Sequence, residues 1–169
     1  MRELTQVRDA VTAALEKAGL TALTAFPHRQ AGRYPGAVAA VAVGAAQGAA
    51  LGFCNYLGEV YDPEAGTVRE VYGKQLEGDI TVEIRAERAA DCEAGCETAA
   101  EALLEGLPGG IRPGELRWEA AAWERETGMF LRRGHLQCRA VFTAQAGEEG
   151  EAFLEFILKG VLSSERDKA

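Results

Sequence analysis

Apolar positions along this chain follow two periods, and the switches between them mark its elements. Leu4, Val7, Val11, Leu15 and Ala18 fall three and four apart, the spacing that lines one stripe of an α-helix. Gly19 suits the left-handed backbone that ends a helix, and Leu20 falls where it can fold back on Leu15, the apolar contact of a Schellman end. Thr21 to Phe26 predicts a short strand, stopped by Pro27. Residues 27–35, with two prolines and a glycine among polar residues, predict a loop.

Period two takes over further on. Val60, Tyr61, Val68, Val71 and Tyr72 are good strand formers on either side of the turn residues Asp62, Pro63 and Gly66. They predict a β-hairpin. Its returning strand continues into an alternation with Leu76, Gly78, Ile80, Val82, Ile84 and Ala86 on one face. Gln75, Glu77, Asp79, Thr81, Glu83 and Arg85 lie on the other. This predicts a sheet with one buried and one wet face. An unbroken strand from Val68 to Ala86 exceeds the usual strand length and implies a long hairpin arm, with Gly73 or Gly78 marking a bulge.

Helical spacing returns from Asp91 to Glu105, with Cys92, Cys96, Ala99, Ala100 and Leu103 inward and Gly106 placed to end the helix. Leu116, Trp118, Ala120 and Ala122 then alternate on one side of a strand, Thr127 and Gly128 turn the chain, and Leu136, Cys138, Ala140, Phe142 and Ala144 alternate in the next. Leu154, Phe156, Leu158 and Leu162 suggest a last strand, although a helix fits the same residues. The order is α, strands, α, strands. It predicts an α+β fold: an antiparallel or mixed β-sheet with two packed helices and a long protruding β-hairpin. Residues 1–162 are expected to form a single domain and 163–169 a frayed tail.

The stretch from Gly36 to Cys54 is apolar but built mostly of Ala and Gly. It is too weakly apolar for a membrane span, and it has neither GK[ST] nor GxGxxG spacing for a phosphate. It reads as a strand from Gly36 to about Val43, a turn or bulge from Gly44 to Gly48, and an outgoing hairpin strand from Leu51. Side chains this small imply the close approach of a helix or of a neighbouring subunit.

The 169-residue chain carries a net charge of −8. That balance argues against binding nucleic acid, which needs clustered Lys and Arg, and against an anionic membrane surface. The charged, broken N-terminal stretch does not fit a signal peptide, so reduced cysteines are expected.

Candidate chemistry is sparse. Cys92 and Cys96 sit four apart on a helix, and a metal site would have to recruit Cys54, Cys138 or His135. Each cysteine instead occupies an apolar position of a periodic pattern, so core packing is the expectation. His28 falls in a loop and His135 faces outward, and nothing sets either beside a nucleophile. Glu77, Asp79 and Glu83 share one strand face, either as an acid–base pair or as a solvated or subunit-facing surface. Arg125, Arg132, Arg133 and Arg139 form a basic cluster. Trp123 falls on the outward face of its strand, and Tyr61 and Tyr72 flank the hairpin; exposed aromatics of this kind mark interfaces. No catalytic, cofactor or metal residue is expected, and the chain is not expected to be an enzyme.

Two stretches, "YGKQLEGDITVEIRAERAADCEAGCETAAEALLEGLP" and "RWEAAAWERETGMFLRRGHLQCRAVFTAQ", together with Tyr34-Pro35 entering an apolar strand, give the chain its likeness to known proteins. With its element order it resembles bacteriophage tail terminator (tail completion) proteins. The resemblance implies a homohexameric ring on the last ring of tail-tube protein, which stops the tube and presents a surface to a head-completion or connector protein. It implies a virion location at the head–tail junction, after assembly in the bacterial host cytoplasm, without cofactor, nucleic acid or membrane. Interface residues would be Tyr61, Val68, Arg69, Tyr72, Trp123, Arg132 and Arg133. Two alternatives stand beside it: another neck or tail ring protein, and a small-molecule-binding or enzymatic α+β domain.

Overall fold

The structure is a computed structural model and describes residues 2–26, 34–51, 54–64, 66–108 and 110–145. His28, most of the 27–35 loop, the last strand and the 163–169 tail lie outside the described residues. Among the described residues, two helices and seven strands follow one another as α1 (Arg2–Lys17), β1 (Thr21–Leu23), β2 (Val38–Ala50), β3 (Tyr56–Asp62) and β4 (Thr67–Ala86). After them come α2 (Ala89–Leu104), β5 (Arg112–Trp118), β6 (Ala122–Glu124) and β7 (Met129–Gln145). The strands form one mixed sheet in the order β1-β2-β4-β7-β5, with β3 joined to β4 and β6 to β7. β1 and β2 are parallel, whereas the β3–β4, β5–β7 and β6–β7 pairs are antiparallel. The fold is α+β, as the patterning predicts. By contacts the chain divides into two compact units: residues 1–47 with 76–140, and residues 48–75 with 141–169.

The first unit holds the helices and the main core. Val7, Val11 and Leu15 of α1 are buried, while Ala18 at the end of the predicted stripe is exposed. The helix stops as its sequence requires. Gly19 takes φ +90°, its N–H donates to Glu16 O at 2.9 Å, and Leu20 N–H donates to Leu15 O at 3.1 Å, the hydrogen-bond pair of a Schellman end. On β4, Ile80, Val82, Ile84 and Ala86 are buried, each large side chain contributing about 2 kcal/mol by leaving water. α2 buries Cys92, Cys96, Ala99 and Leu103, and also Gly95. A Cβ at Gly95 would stand 2.5 Å from Ala37 Cβ and 3.0 Å from Ile84 Cγ2. The helix therefore lies on the sheet where only hydrogen fits.

β2 corrects the reading of the Ala/Gly stretch. No turn interrupts Gly44 to Gly48; a single strand runs from Val38 to Ala50. A Cβ at Gly44 would reach within 3.1 Å of Asp79 O, whereas one at Gly48 would meet open space. The close neighbour at Gly44 is thus the backbone of β4 in the same chain. The turn comes later, and the hairpin strand starts at Tyr56 rather than Leu51. Cys54 and Asn55 adopt φ +53° and +61°, Asn55 Oδ1 accepts from Leu51 N–H at 3.1 Å, and Asn55 O accepts from Gly73 N–H at 2.8 Å. Asn tolerates left-handed backbone and closes its own turn.

In the second unit the hairpin turns where Asp62, Pro63 and Gly66 predict, with Gly66 at φ +64°. Tyr61 pairs with Val68, Glu59 with Glu70, and Tyr56 with Tyr72. A register shift falls between Tyr56 and Gly58 of β3. A Cβ at Gly73 would lie 2.6 Å from Leu57 Cδ1.

Elsewhere β5 begins earlier than the pattern suggests, and the chain leaves the sheet at residues 119–121 before β6. Trp118 is half-buried and lies over Gly134, where a Cβ would come within 2.7 Å of its ring.

Gly95→Ala should destabilise the protein by about 1–2 kcal/mol in urea unfolding, because the clash with Ala37 and Ile84 outweighs the helix propensity gained. A stabilised variant would show that α2 does not sit this close.

Candidate functional site

The face of β4 opposite the helices is wet only in part. Arg85, placed on the wet face by its alternation, is buried, with its side chain 6% exposed. Phe26, Val38, Ala40 and Met129 form a small cluster, with Leu23 and Tyr34 against it, and the Arg85 guanidinium stacks 4.5 Å above the Phe26 ring. A buried cation needs anions. Arg85 Nε donates to Glu124 Oε2 at 2.9 Å and Nη2 to Glu124 Oε1 at 3.2 Å. Nη1 lies 2.7 Å from Glu83 Oε2 as a charge contact; it is the buried side-chain nitrogen or oxygen among the described residues that makes no hydrogen bond. Arg133 Nε donates to Glu83 Oε1 at 2.6 Å, and Thr127 Oγ1 donates to Glu124 Oε2 at 2.6 Å.

These contacts set the ionisation of the network. Burial works against the Glu83 carboxylate, but Arg133 and Arg85 outweigh it and hold its pKa below the usual glutamate value. The Glu124 carboxyl is lowered by its hydrogen bonds from Arg85, against a smaller cost of burial, with Thr127 helping. Burial also penalises the Arg85 cation, yet Glu124 and Glu83 raise its pKa overall.

Of the other residues singled out in the sequence, most are already occupied. Glu77 pairs with Arg139 Nη2 at 2.8 Å and Glu83 with Arg133 Nε at 2.6 Å, so two of the three carboxylates in the acidic row on β4 hold arginines. Arg132 Nε donates to Glu119 O at 2.9 Å. His135 Nε2 lies 3.0 Å from Glu119 Oε1 and is exposed as expected. Of the basic cluster, Arg132, Arg133 and Arg139 are divided among a carbonyl and two separate carboxylates, and Arg125 is exposed. Cys92, Cys96 and Cys138 are buried and Cys54 is exposed. Burial pushes the Cys96 thiol up to about 12 and the Cys138 thiol up to about 11, with Asp79 adding to the latter. Thiols at those values are poor nucleophiles and poor metal ligands, and no group of three or more His, Cys, Asp or Glu is arranged for a metal among the described residues.

An open trough of about 610 Å³ crosses the first unit over Ala45, Ala46, Gly78, Cys138, Pro113 and Gly114. Its lining also carries Gln47, Glu77, Asp79, Arg112, Gln137 and Arg139, of which Glu77 and Arg139 are paired with each other.

Several large apolar side chains also stay exposed. On the hairpin Tyr61 is 63% exposed and Val68 58%. They face each other across the strands, with Val60 and Leu57 also exposed. Tyr56 and Tyr72 close the other end of that face, rings edge to face at 5.7 Å. Arg69 pairs with Val60, on the opposite face from Tyr61. In the first unit Trp123 is 53% exposed, pairs with Phe130 across β6 and β7, and holds its ring 4.9 Å from that of Phe130. The sequence singles out Tyr61, Val68, Tyr72 and Trp123; the hairpin register adds Tyr56, Glu59 and Glu70 to the face of Tyr61.

No known protein family profile matches the chain, and no curated protein matches it. Among solved structures, a chain of one described as the virion of a native gene transfer agent (GTA) particle shares 16% identity with a TM-score of 0.36, covering 83% of this chain and 91% of that one. A likeness at that level is too loose to transfer a fold or a function. No helix among the described residues is long and apolar enough to cross a membrane.

The Arg85 network has a measurable pH signature. Lowered carboxyl values mean its stabilisation is complete above the unfolded glutamate value of 4.5 and fades as pH falls through the folded values. Arg85→Met should cost about 3 kcal/mol near neutral pH and flatten the fall in melting temperature below that value. A variant with an unchanged acid limb would show that Glu83 and Glu124 owe little to Arg85.

Proposed function

We propose that this chain is a structural subunit of a phage-like virion, acting as a tail terminator: a ring, hexameric by the resemblance, that caps the tail tube and offers a surface to the head-completion or connector protein. It works by contact and carries no enzymatic chemistry. The observation that carries this reading is the exposed aromatic and aliphatic face of the hairpin, Tyr61 against Val68, in a chain whose arginines and acidic row are largely spent on internal pairs. Apolar side chains gathered this openly belong to partner surfaces. The likeness of residues 72–108 and 117–145 to tail terminator sequences supplies the specific job. The virion particle that holds the similar chain is in keeping with the reading and, at a TM-score of 0.36, adds no weight to it. Tyr61, Val68, Arg69, Tyr72, Trp123, Arg132 and Arg133 are the proposed contact residues, at the head–tail junction of the particle.

The test is tube assembly. Tail-tube protein from the same locus should polymerise to shorter tubes in the presence of this chain, with the chain at tube ends in electron micrographs. Unchanged tube lengths with bare ends would contradict the proposal.

A further inference from the structure

The hairpin face is not uniformly apolar. Between the Tyr61–Val68 pair and the Tyr56–Tyr72 pair, Glu59 and Glu70 stand directly opposite each other. Like charges in that position destabilise a strand pair. Each has a tyrosine beside it: Tyr72 Oη donates to Glu70 Oε2 at 2.5 Å, and Glu59 lies near enough to the Tyr56 hydroxyl to act on its charge. The result is an exposed face with two carboxylates framed by aromatic rings. Set against its own copy with the carboxylates opposed, such a face would bring four negative charges together, which favours a partner that is cationic and partly apolar.

The chain carries a surface of that kind. Trp123 is exposed with Phe130 against it. Arg132 lies two residues beyond Phe130 on the same side of β7, half-buried. Arg125 is exposed in the turn that follows β6. Trp, Tyr and Arg are the side chains that dominate protein contacts, and arginine over a tyrosine face gains further from the ring.

We propose that the acidic aromatic face of the hairpin, Glu59 and Glu70 with Tyr61, docks on the Trp123–Arg125–Arg132 surface of a second copy. The contact uses two different surfaces, so each copy can hold one neighbour by its hairpin and another by its tryptophan face, the arrangement that closes a ring when the rotation allows. It rests on the reading of the chain as an assembly subunit and specifies how that assembly is joined.

Two charge-reversed proteins test it: Glu59→Lys with Glu70→Lys, and Arg125→Glu with Arg132→Glu. Circular dichroism and thermal melts establish that each folds, and Trp123→Ala is a third variant that leaves the charges alone. Self-association is followed by sedimentation with and without tube protein. Each variant alone should associate about tenfold more weakly or worse, the loss expected for reversed charges at a contact. An equimolar mixture of the two reversed proteins should recover association, since every lysine hairpin then finds a glutamate face. If the wild type assembles while the variants assemble equally well, or the mixture gives no recovery, this contact is wrong and the assembly reading stands. If association follows the charges but tubes are never capped, the contact stands and the tail role falls. A wild type that stays monomeric with and without tube protein overturns both.

Discussion

One strand has to satisfy two unlike faces, and the rest of the structure answers to it. β4 gives Ile80, Val82, Ile84 and Ala86 to the core under the helices, and the same strand turns Glu83 and Arg85 the other way. Packing on the first face is strict enough that α2 needs a glycine at position 95. Burial on the second leaves a cation that is tolerable only because Glu83 and Glu124 sit beside it. Phe26, Met129 and the turn before β7 are held by that requirement. The sheet is therefore covered on parts of both sides, and its charges are largely committed inward.

Much of this could be read from the chain. The three-and-four spacing of α1, its Schellman end, the hairpin turn and the alternation through β4 are local signals, each fixed by a few neighbouring residues. What escaped was set at a distance. Gly44 reads as a turn residue until the backbone of β4 is placed beside it, where a Cβ would be a tight fit against Asp79 O. The real turn is carried by Cys54 and Asn55, whose left-handed backbone has only a weak signature beside so many glycines. Arg85 fits a solvated position by alternation alone. Its burial depends on Phe26 and Glu124, distant from it in sequence.

The same separation holds for the candidate surface. Exposed Tyr61, Val68 and Trp123, with half-buried Tyr72, are strand residues that local signals single out. The meeting of Glu59 with Glu70 follows only from the hairpin register, which the bulge between Tyr56 and Gly58 adjusts by one residue. Two of the three carboxylates in the acidic row on β4, Glu77 and Glu83, are paired to arginines. Function on this account belongs to faces that wait for another protein.

Amide hydrogen exchange of the free and tube-bound chain tests that claim most directly. Residues 56–72 and 122–132 should gain protection on assembly, while 112–114 and 137–139 at the trough should not change. Protection gained at the trough, with the hairpin exchanging as fast as in the free chain, would contradict it.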